Sequence, residues 1–247
     1  MAIPQRLKAI VDKIVSYGNG VYKVQLSLQR NFPRFKPGQF LHLAIDSFDP
    51  STGFWPESRV FSIAGCDVDR RTVFIVYSVK GSYTKRMERE LEVGKDVWLK
   101  GPYGEFIISH YLRENDTAVL IAGGTGISPF IPFLTEQKSQ FRVELFYGVR
   151  SPDVLIFDQA LSEVSTRTKE RIHLFLEELD ESRNADLGKR FEIHRGQLCI
   201  SDILEITEQK ANRVFFLSGP PSMIDTFKKE LQNHGILENN IIIDEWG

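Results

Sequence analysis

Apolar residues alternate with polar ones along the first half of the chain. Every second position is apolar from Val24 to Leu28, and Leu41, Leu43 and Ile45 repeat the pattern. The segment from Val73 to Val79 is mostly β-branched and aromatic. Turn residues separate these runs, at Gly18-Asn19-Gly20, Lys36-Pro37-Gly38, Pro50-Ser51-Thr52-Gly53 and Gly101-Pro102-Tyr103-Gly104. Short alternating strands between frequent turns predict an antiparallel barrel or sandwich.

The pattern changes near Asn115, where apolar runs begin to alternate with helical periodicity. The predicted strands are Ala118–Ala122, Val143–Tyr147, Ile172–Leu176, Val214–Leu217 and Ile241–Ile243. Two predicted helix faces carry Met223, Ile224, Phe227 and Leu231, and Ile200, Ile203, Leu204 and Ile206. Strand–helix alternation predicts βαβ units and a parallel sheet. The polar stretch Arg113–Asp116 predicts a boundary between a barrel domain, 1–112, and an α/β domain, 113–247.

Composition excludes several functions. The chain has 247 residues, 42% of them hydrophobic and 26% charged, which is the balance of a protein with a buried core. Its net charge of −2 provides no strong field for binding nucleic acid or an anionic membrane. Cys66 and Cys199 cannot hold zinc or an iron–sulfur cluster through four thiolates. The five histidines form no ligand-spaced cluster in the sequence, so we expect no metal site.

Two features bear on the cellular compartment. The first residues carry no apolar segment of the signal-peptide type. The uncharged stretch from Thr117 to Thr135 approaches membrane-spanning length, but glycines and prolines interrupt it, so we interpret it as a strand, a loop and a helix start. Together with two unpaired thiols, these features predict a cytoplasmic protein without a membrane span.

Unusual sequences follow two of the predicted parallel strands, where an open sheet binds ligands. The first is Gly123-Gly124-Thr125-Gly126-Ile127-Ser128-Pro129, whose glycines permit a tight turn close to a diphosphate. Ser128 is placed to cap the next helix, whereas Pro132 would remove a hydrogen bond just inside it. The second is Ser218-Gly219-Pro220-Pro221, in which the prolines favour a helix start. Each motif alone also fits a turn that binds no ligand.

The barrel half contains two further motifs. Arg59-Val60-Phe61-Ser62 puts a cation and an aromatic ring on one strand face, suited to a phosphate and to a planar ring. Lys80-Gly81-Ser82-Tyr83-Thr84 begins a helical pattern, and the N–H groups of a helix N-terminus bind anions. An edge strand and a simple helix cap explain these motifs equally well when each is taken alone.

The order of the motifs is more informative than any one of them. Arg-x-aromatic-Ser, Gly-x-x-Thr, Gly-Pro-Tyr-Gly, Gly-Gly-Thr-Gly-Ile-Ser-Pro and Gly-Pro-Pro-x-Met follow one another as in the ferredoxin–NADP reductase superfamily, which the chain resembles from Lys36 to Trp246. The resemblance implies a six-stranded antiparallel flavin-binding β-barrel and a C-terminal nucleotide-binding domain with a doubly wound parallel sheet. It also implies bound FAD, with FMN the less expected flavin, and NADPH or NADH as substrate.

The resemblance implies the flavin contacts by position. Arg59 resembles the residue at the flavin pyrophosphate, Phe61 the usual tyrosine stacked on the isoalloxazine ring, and Ser62 the hydroxyl near flavin N5. Phe61 lacks the hydroxyl of that tyrosine. The second phosphate-binding element and the residues expected beside the dinucleotide are Gly81, Ser82, Tyr83 and Thr84, together with Val60, Val76 and Tyr77.

The nicotinamide contacts follow in the same way. The loop Gly123, Gly124, Thr125 and Gly126 resembles the pyrophosphate loop, and Gly219 and Pro220 belong to the second motif. Ser218 replaces the cysteine that usually lies near nicotinamide C4. Near the C-terminus, Asp244 or Glu245 is expected to relay a proton and Trp246 to cover the flavin, although a tail docked on the surface fits the same residues.

Arginines favour NADPH over NADH as the nucleotide. Arg150 and Ser151 follow the second predicted parallel strand, where an acidic residue would bind the ribose hydroxyls of NAD. They are candidates for binding a 2′-phosphate, and Arg183 and Arg195 are further candidates. The alternative is that these arginines are solvated surface charges.

Three functions remain open. The first is a flavoprotein reductase that exchanges electrons with a separate ferredoxin, flavodoxin or oxygenase component. The second is a free-flavin reductase, in which flavin is a weakly held substrate. The third is a flavin-binding electron-transfer subunit of a larger complex, whose relatives carry an additional iron–sulfur cysteine cluster that Cys66 and Cys199 cannot supply.

Overall fold

The computed structural model describes residues 3–136, 141–167, 170–178, 186–210 and 212–244. The chain divides into two compact units, Met1–Ile107 and Ile108–Gly247. The boundary between the units, after Ile107, lies a few residues before the boundary that the polar stretch Arg113–Asp116 predicts. The physical reason is that Ile108 is fully buried and Tyr111 packs edge-on against Phe216 of the second unit, with the ring centroids 6.2 Å apart.

The first unit is an antiparallel sheet with one α-helix among its described residues. Its sheet order is β4-β3-β7-β1-β2-β6-β5. The elements are β1 (Gln5–Ser16), β2 (Val21–Leu28), β3 (Phe40–Ala44), β4 (Arg59–Ser62), β5 (Gly65–Cys66), β6 (Thr72–Ser78), α1 (Ser82–Glu90) and β7 (Asp96–Tyr103).

The sheet closes on itself through the chain from β4 to β5. The N–H of Ile63 donates to the carbonyl of Gln39 (3.0 Å), next to β3, and the N–H of Ala64 donates to the carbonyl of Phe74 (2.9 Å), in β6. Consecutive residues therefore bond to opposite edges of the sheet. Counted as one bent strand, β4 and β5 make a six-stranded barrel, which confirms the predicted fold. The alternating apolar residues fill its core, as in β1, where Leu7, Ala9 and Val11 are at most 1% exposed.

One predicted turn of the barrel is wrong. Gly101, Pro102 and Tyr103 lie inside β7, where Gly101 pairs with Gln5 and Tyr103 with Phe40. A Cβ at Gly101 would lie 3.1 Å from the Cβ of Leu41, so this glycine permits close approach of two strands. The chain turns only at Gly104, which has a φ of +101°.

The second unit is a parallel sheet with the strand order β11-β10-β9-β8-β12-β13. Its strands are β8 (Thr117–Gly123), β9 (Arg142–Val149), β10 (Glu170–Leu176), β11 (Glu192–Arg195), β12 (Arg213–Ser218) and β13 (Ile241–Ile243). Its α-helices, labelled here in chain order over the described residues, are α2 (Phe130–Glu136), α3 (Asp158–Ser165), α4 (Ile200–Thr207) and α5 (Pro221–Asn233).

The strand order reverses between β8 and β12, which confirms the predicted doubly wound sheet. Both predicted helix faces are also confirmed, because Ile203 of α4 and Phe227 of α5 belong to the core that covers Phe215. The sequence analysis missed α3 and β11, and β11 (Glu-Ile-His-Arg) has no apolar run to reveal it. Within the described residues, no helix is long and apolar enough to cross a membrane.

Candidate functional site

The N-terminus of α1, in the barrel unit, has backbone N–H groups that lie outside the helical hydrogen bonds and could bind an anion. The hydroxyl of Thr84 accepts hydrogen bonds from the N–H groups of Lys80 (2.9 Å) and Gly81 (3.1 Å), which fixes the turn into the helix. The first backbone bond of the helix runs from the N–H of Lys85 to the carbonyl of Gly81 (3.0 Å). The N–H groups of residues 82–84 therefore precede the helical ladder and point along its positive end. Thr84 positions this turn.

Arg59 lies beside that turn. Its guanidinium carbon is 4.9 Å from the centroid of the Tyr83 ring, and its Nη2 is 3.0 Å from Oε1 of Glu57. The side chain is half-exposed, so the guanidinium remains accessible. A planar cation next to helix N–H groups fits a diphosphate, which needs donors on several sides. Glu57 competes for the same cation, and the sequence analysis did not identify it.

Tyr83 is buried, and its hydroxyl is used within the barrel. The hydroxyl donates to the carbonyl of Leu43 (2.9 Å) and accepts from the N–H of Ile45 (3.1 Å). Burial raises the pKa of Tyr83 to about 12. The ring supports Arg59 while the hydroxyl holds the end of β3, so Tyr83 is placed as a positioning residue for Arg59.

Phe61 belongs to the barrel core. It is 9% exposed and meets Tyr77 edge-on, with the ring centroids 6.3 Å apart. Tyr77 in turn stacks on Tyr22 (5.2 Å), and burial raises the pKa of Tyr77 well above its usual range. Val76 is also buried, whereas Val60 and Ser62 are half-buried. The stacking of Phe61 on a flavin and the position of Ser62 near flavin N5 stay predictions.

The glycine loop after β8 takes a different form from the predicted one. Gly124–Ile127 form a 3-10 turn and α2 begins only at Phe130. The hydroxyl of Ser128 donates to the carbonyl of Thr125 (2.8 Å), so the prediction that Ser128 caps α2 is wrong. Because the helix begins late, Pro132 lies in its first turn, where a backbone N–H has no helical partner to lose.

The loops after β8 and β12 touch each other, and glycine is required at their contact. A Cβ on Gly126 would lie 2.2 Å from the carbonyl oxygen of Ser218. A Cβ on Gly123 would lie 2.7 Å from Sδ of Met223, and one on Gly219 would lie 3.2 Å from the backbone nitrogen of Gly123. Pro220, which follows Gly219, occupies the N-cap position of α5. These loops meet where the strand order reverses, and their bare backbone fits a diphosphate cradle.

Ser218 and Asp244 form a buried pair at the same edge of the sheet. The Ser218 hydroxyl donates to Oδ2 of Asp244 (2.9 Å), and the Asp244 N–H donates to the carbonyl of Leu217 (2.9 Å). The two residues are 3% and 4% exposed. Burial raises the pKa of Asp244 to about 7, although the Ser218 hydrogen bond acts to lower it. The carboxyl can therefore hold or release a proton near neutral pH. Glu245 and Trp246 lie outside the described residues.

Arg150 and Arg195, two of the arginines predicted to select the nucleotide, lie at the carboxyl edge of the sheet. Arg150 follows β9, and its Nε is 2.8 Å from Oε1 of Glu178, which follows β10. Ser151 precedes a 3-10 turn, and Arg195 ends β11 with an exposed side chain. A 2′-phosphate on Arg150 would have to compete with Glu178, which the sequence analysis did not identify. Arg183 lies outside the described residues.

The expectation that the histidines form no cluster is wrong in three dimensions. Nδ1 of His173 in β10 lies 3.2 Å from Nε2 of His194 in β11 and 3.3 Å from Oε2 of Glu192. The register of β10 against β11 brings the two histidines together. The sequence analysis did not predict this register because it missed β11.

Comparison with known proteins agrees with the two-unit fold. Residues 120–229 match the oxidoreductase NAD-binding domain family. The reductase component of propane 2-monooxygenase from Mycolicibacterium smegmatis is 26% identical over 86% of this chain and 59% of its own length. The electron transfer component of anthranilate 1,2-dioxygenase from Acinetobacter baylyi is 29% identical over 86% of this chain and 58% of its own length. The chain therefore spans less than two thirds of these relatives.

Solved structures share the fold along almost the whole chain. A ferredoxin NADP+ reductase from Neisseria gonorrhoeae, with bound FAD and NADP, superposes with a TM-score of 0.73 at 18% identity and covers 97% of both chains. An Amycolatopsis cytochrome P450 reductase superposes with a TM-score of 0.79 at 21% identity over 99% of this chain and 71% of its own. At these identities the likeness concerns the fold.

Proposed function

We propose that the chain is a member of the ferredoxin–NADP reductase superfamily and, within it, an NAD(P)H-dependent flavoprotein reductase with bound FAD. When bound, the flavin supplies the redox chemistry, accepting a hydride from the nicotinamide and passing electrons to a second protein. The observation that carries the proposal is that each unit has a place where backbone groups could bind a diphosphate: the start of α1 beside Arg59 in the barrel (the barrel cradle), and the glycine-containing loops after β8 and β12 in the parallel sheet (the sheet cradle).

The barrel cradle supports FAD as the flavin. Arg59 and the N–H groups at the start of α1 would hold a pyrophosphate, which FAD has and FMN lacks. Tyr83 would keep the guanidinium in place, since its ring lies under Arg59 and its hydroxyl is tied to β3. Ser62 and Phe61 would contact the flavin ring by their place in the family motif.

The sheet cradle supports a nicotinamide nucleotide as electron donor. Gly123, Gly126 and Gly219 let the backbone approach a pyrophosphate without a Cβ in the way. Ser218 places a small hydroxyl at the end of β12, and Asp244 orients it by accepting its proton in a hydrogen bond. Arg150, Ser151 and Arg195 support NADPH by their charge and position, while Glu178 acts against it.

The proposed electron acceptor is a separate protein, either an oxygenase component or a small carrier such as ferredoxin or flavodoxin. The names of the relatives support it, because they are reductase or electron transfer components of oxygenases. The proposed compartment is the cytoplasm. Neither Cys66 nor Cys199 forms a disulfide, as expected in a reducing compartment.

Flavin retention separates this function from its main alternative. The full chain is loaded with FAD and desalted, and the flavin that stays with the protein is measured. Turnover is then measured with NADPH or NADH as donor and a one-electron protein as acceptor. We expect stoichiometric flavin and reduction of the acceptor. If the flavin leaves on desalting while added free flavin is still reduced, the chain is a free-flavin reductase and the proposal fails.

A further inference from the structure

Three side chains of the kinds that bind metal ions lie close together in the neighbouring strands β10 and β11 of the parallel sheet. His173 lies in the middle of β10, and Glu192 and His194 lie on β11, the edge strand of the described sheet. The strand register pairs His173 with Glu192. His173 is buried, His194 is half-buried and Glu192 is exposed, so the group opens to solvent on the side of β11.

Two of the separations between these side chains suit ligands on one small cation. The candidate ligand atoms of all three residues lie within 4.8 Å of one another. Nδ1 of His173 is 3.2 Å from Nε2 of His194 and 3.3 Å from Oε2 of Glu192. Two ligands on a tetrahedral Zn²⁺ with bonds of about 2.0–2.1 Å are separated by roughly 3.3–3.4 Å.

His173 uses Nε2 for a hydrogen bond with Glu144, and its Nδ1 is directed at His194 and Glu192. Nε2 lies 3.1 Å from Oε2 of Glu144, and the other oxygen of Glu144 lies 2.9 Å from Nζ of Lys210. Because Glu144 forms an ion pair with Lys210, its other oxygen is placed to accept a hydrogen bond from Nε2–H of His173. With Nε2–H directed at Glu144, Nδ1 of His173 presents a lone pair towards Nε2 of His194 and Oε2 of Glu192, and one cation between the three atoms would contact all of them.

The surroundings hold both imidazole rings in place. The ring of His173 stacks on Phe146 at 4.6 Å, and the ring of His194 stacks on Phe175 at 4.5 Å. A carboxylate on the far nitrogen of a metal-binding histidine, as Glu144 is on His173, is the usual outer partner of such a ligand.

We propose that His173 Nδ1, His194 Nε2 and Glu192 Oε2 bind one Zn²⁺ ion, with water as the fourth ligand. Two imidazoles and one carboxylate suit zinc and its transition-metal neighbours, whereas Ca²⁺ and Mg²⁺ prefer oxygen ligands. The ion fastens the edge strand β11 to β10, so its role is structural. This inference does not depend on the proposed reductase activity.

Titration of the metal-free full chain with Zn²⁺, followed by calorimetry, tests the site directly. We expect one ion bound per chain, a rise of several degrees in Tm, and, with Co²⁺ in place of Zn²⁺, the visible absorption of a tetrahedral ion. Glu192→Gln and His194→Gln should each weaken Zn²⁺ binding by at least about tenfold. The matched control is His234→Gln, an exposed residue at the end of α5, which should bind as the unmodified chain does.

A variant of Glu144, which contacts His173 but is not a proposed ligand, tests the site without changing any of the three ligands. Glu144→Gln leaves all three ligands in place and should weaken Zn²⁺ binding by roughly 10–100-fold. The proposal is overturned if the unmodified chain binds no stoichiometric Zn²⁺, in which case only a proton joins His173 to its neighbours. It is also overturned if Glu192→Gln and His194→Gln bind Zn²⁺ as tightly as His234→Gln.

Discussion

The hydroxyl of Ser218 donates a 2.9 Å hydrogen bond to Oδ2 of Asp244, and both side chains are almost fully buried. The pair joins the end of β12 to the chain that follows β13. It places a carboxyl with a pKa of about 7 next to the position where the family usually has a cysteine. The proposed nucleotide site therefore has a proton-holding carboxyl next to Ser218.

Asp244→Asn should change how stability depends on pH. The carboxyl has a pKa of 3.8 in an ordinary setting and about 7 when buried here, so the folded chain holds a proton that the unfolded chain releases. Stability therefore falls as pH rises from about 4 to about 7, by up to about 4 kcal/mol. The variant should lack this loss. Urea unfolding at about pH 5 and about pH 8 measures it.

Ser218→Ala is the companion variant. It removes the hydrogen bond that favours the carboxylate, so the pKa of Asp244 should rise further and the loss of stability should extend to higher pH. If Asp244→Asn and the unmodified chain have parallel pH profiles, Asp244 does not titrate in this range.

Gly126→Ala should damage the nucleotide site more than other glycine substitutions. Its Cβ would lie 2.2 Å from the carbonyl oxygen of Ser218, so the two loops must separate. We expect nucleotide binding to weaken at least about tenfold and stability to fall by more than about 1 kcal/mol. Gly235→Ala is the control, because that position has a φ of +80° but open space around it. Equal nucleotide affinities in the two variants would contradict the loop contact.

Arg59 and Glu57 should have opposite effects on flavin affinity. Arg59→Gln removes a charge-assisted contact and should raise the Kd for FAD by roughly 10–100-fold. Glu57→Gln releases Arg59 from its 3.0 Å ion pair and should lower the Kd slightly. Fluorescence titration with FAD measures both, with the exposed Glu92→Gln as control. A weaker affinity in Glu57→Gln would mean that Glu57 orients Arg59 and does not compete for it.

Glu178→Gln should shift the nucleotide preference towards NADPH. The variant frees Arg150 from its exposed ion pair, so we expect the ratio of kcat/KM for NADPH to that for NADH to rise by roughly two- to fivefold. Arg150→Gln should lower that ratio. The exposed Glu205→Gln serves as control. An unchanged ratio in both Glu178→Gln and Arg150→Gln would remove Arg150 from the nucleotide site.

The sequence predicted the fold wherever apolar periodicity was strong. The strands of the barrel and the buried strands of the parallel sheet follow it closely, as do the faces of α4 and α5. β11 could not be found, because a short edge strand is stabilised by backbone pairing with β10 and needs no apolar run. Gly101 was misleading for a related reason, since a glycine that permits close strand packing looks the same in sequence as one that permits a turn.

The sequence pointed to candidate site residues such as Arg59, Ser218 and Asp244, but not to their partners. The acids Glu57 and Glu178, and the contact of the Tyr83 ring with Arg59, become visible only in the structure. Ion pairs and ring contacts between residues far apart in the chain depend on strand register, which a single sequence does not specify. The same limit concealed the contact between His173 and His194.

The central claim is tested most directly by mixing the FAD-loaded chain with NADPH or NADH under anaerobic conditions in a stopped-flow spectrophotometer. The account predicts that the absorbance of oxidised flavin disappears in a single turnover, and that deuterium at the transferred C4 position slows the loss. A flavin that stays oxidised with both nucleotides would contradict it.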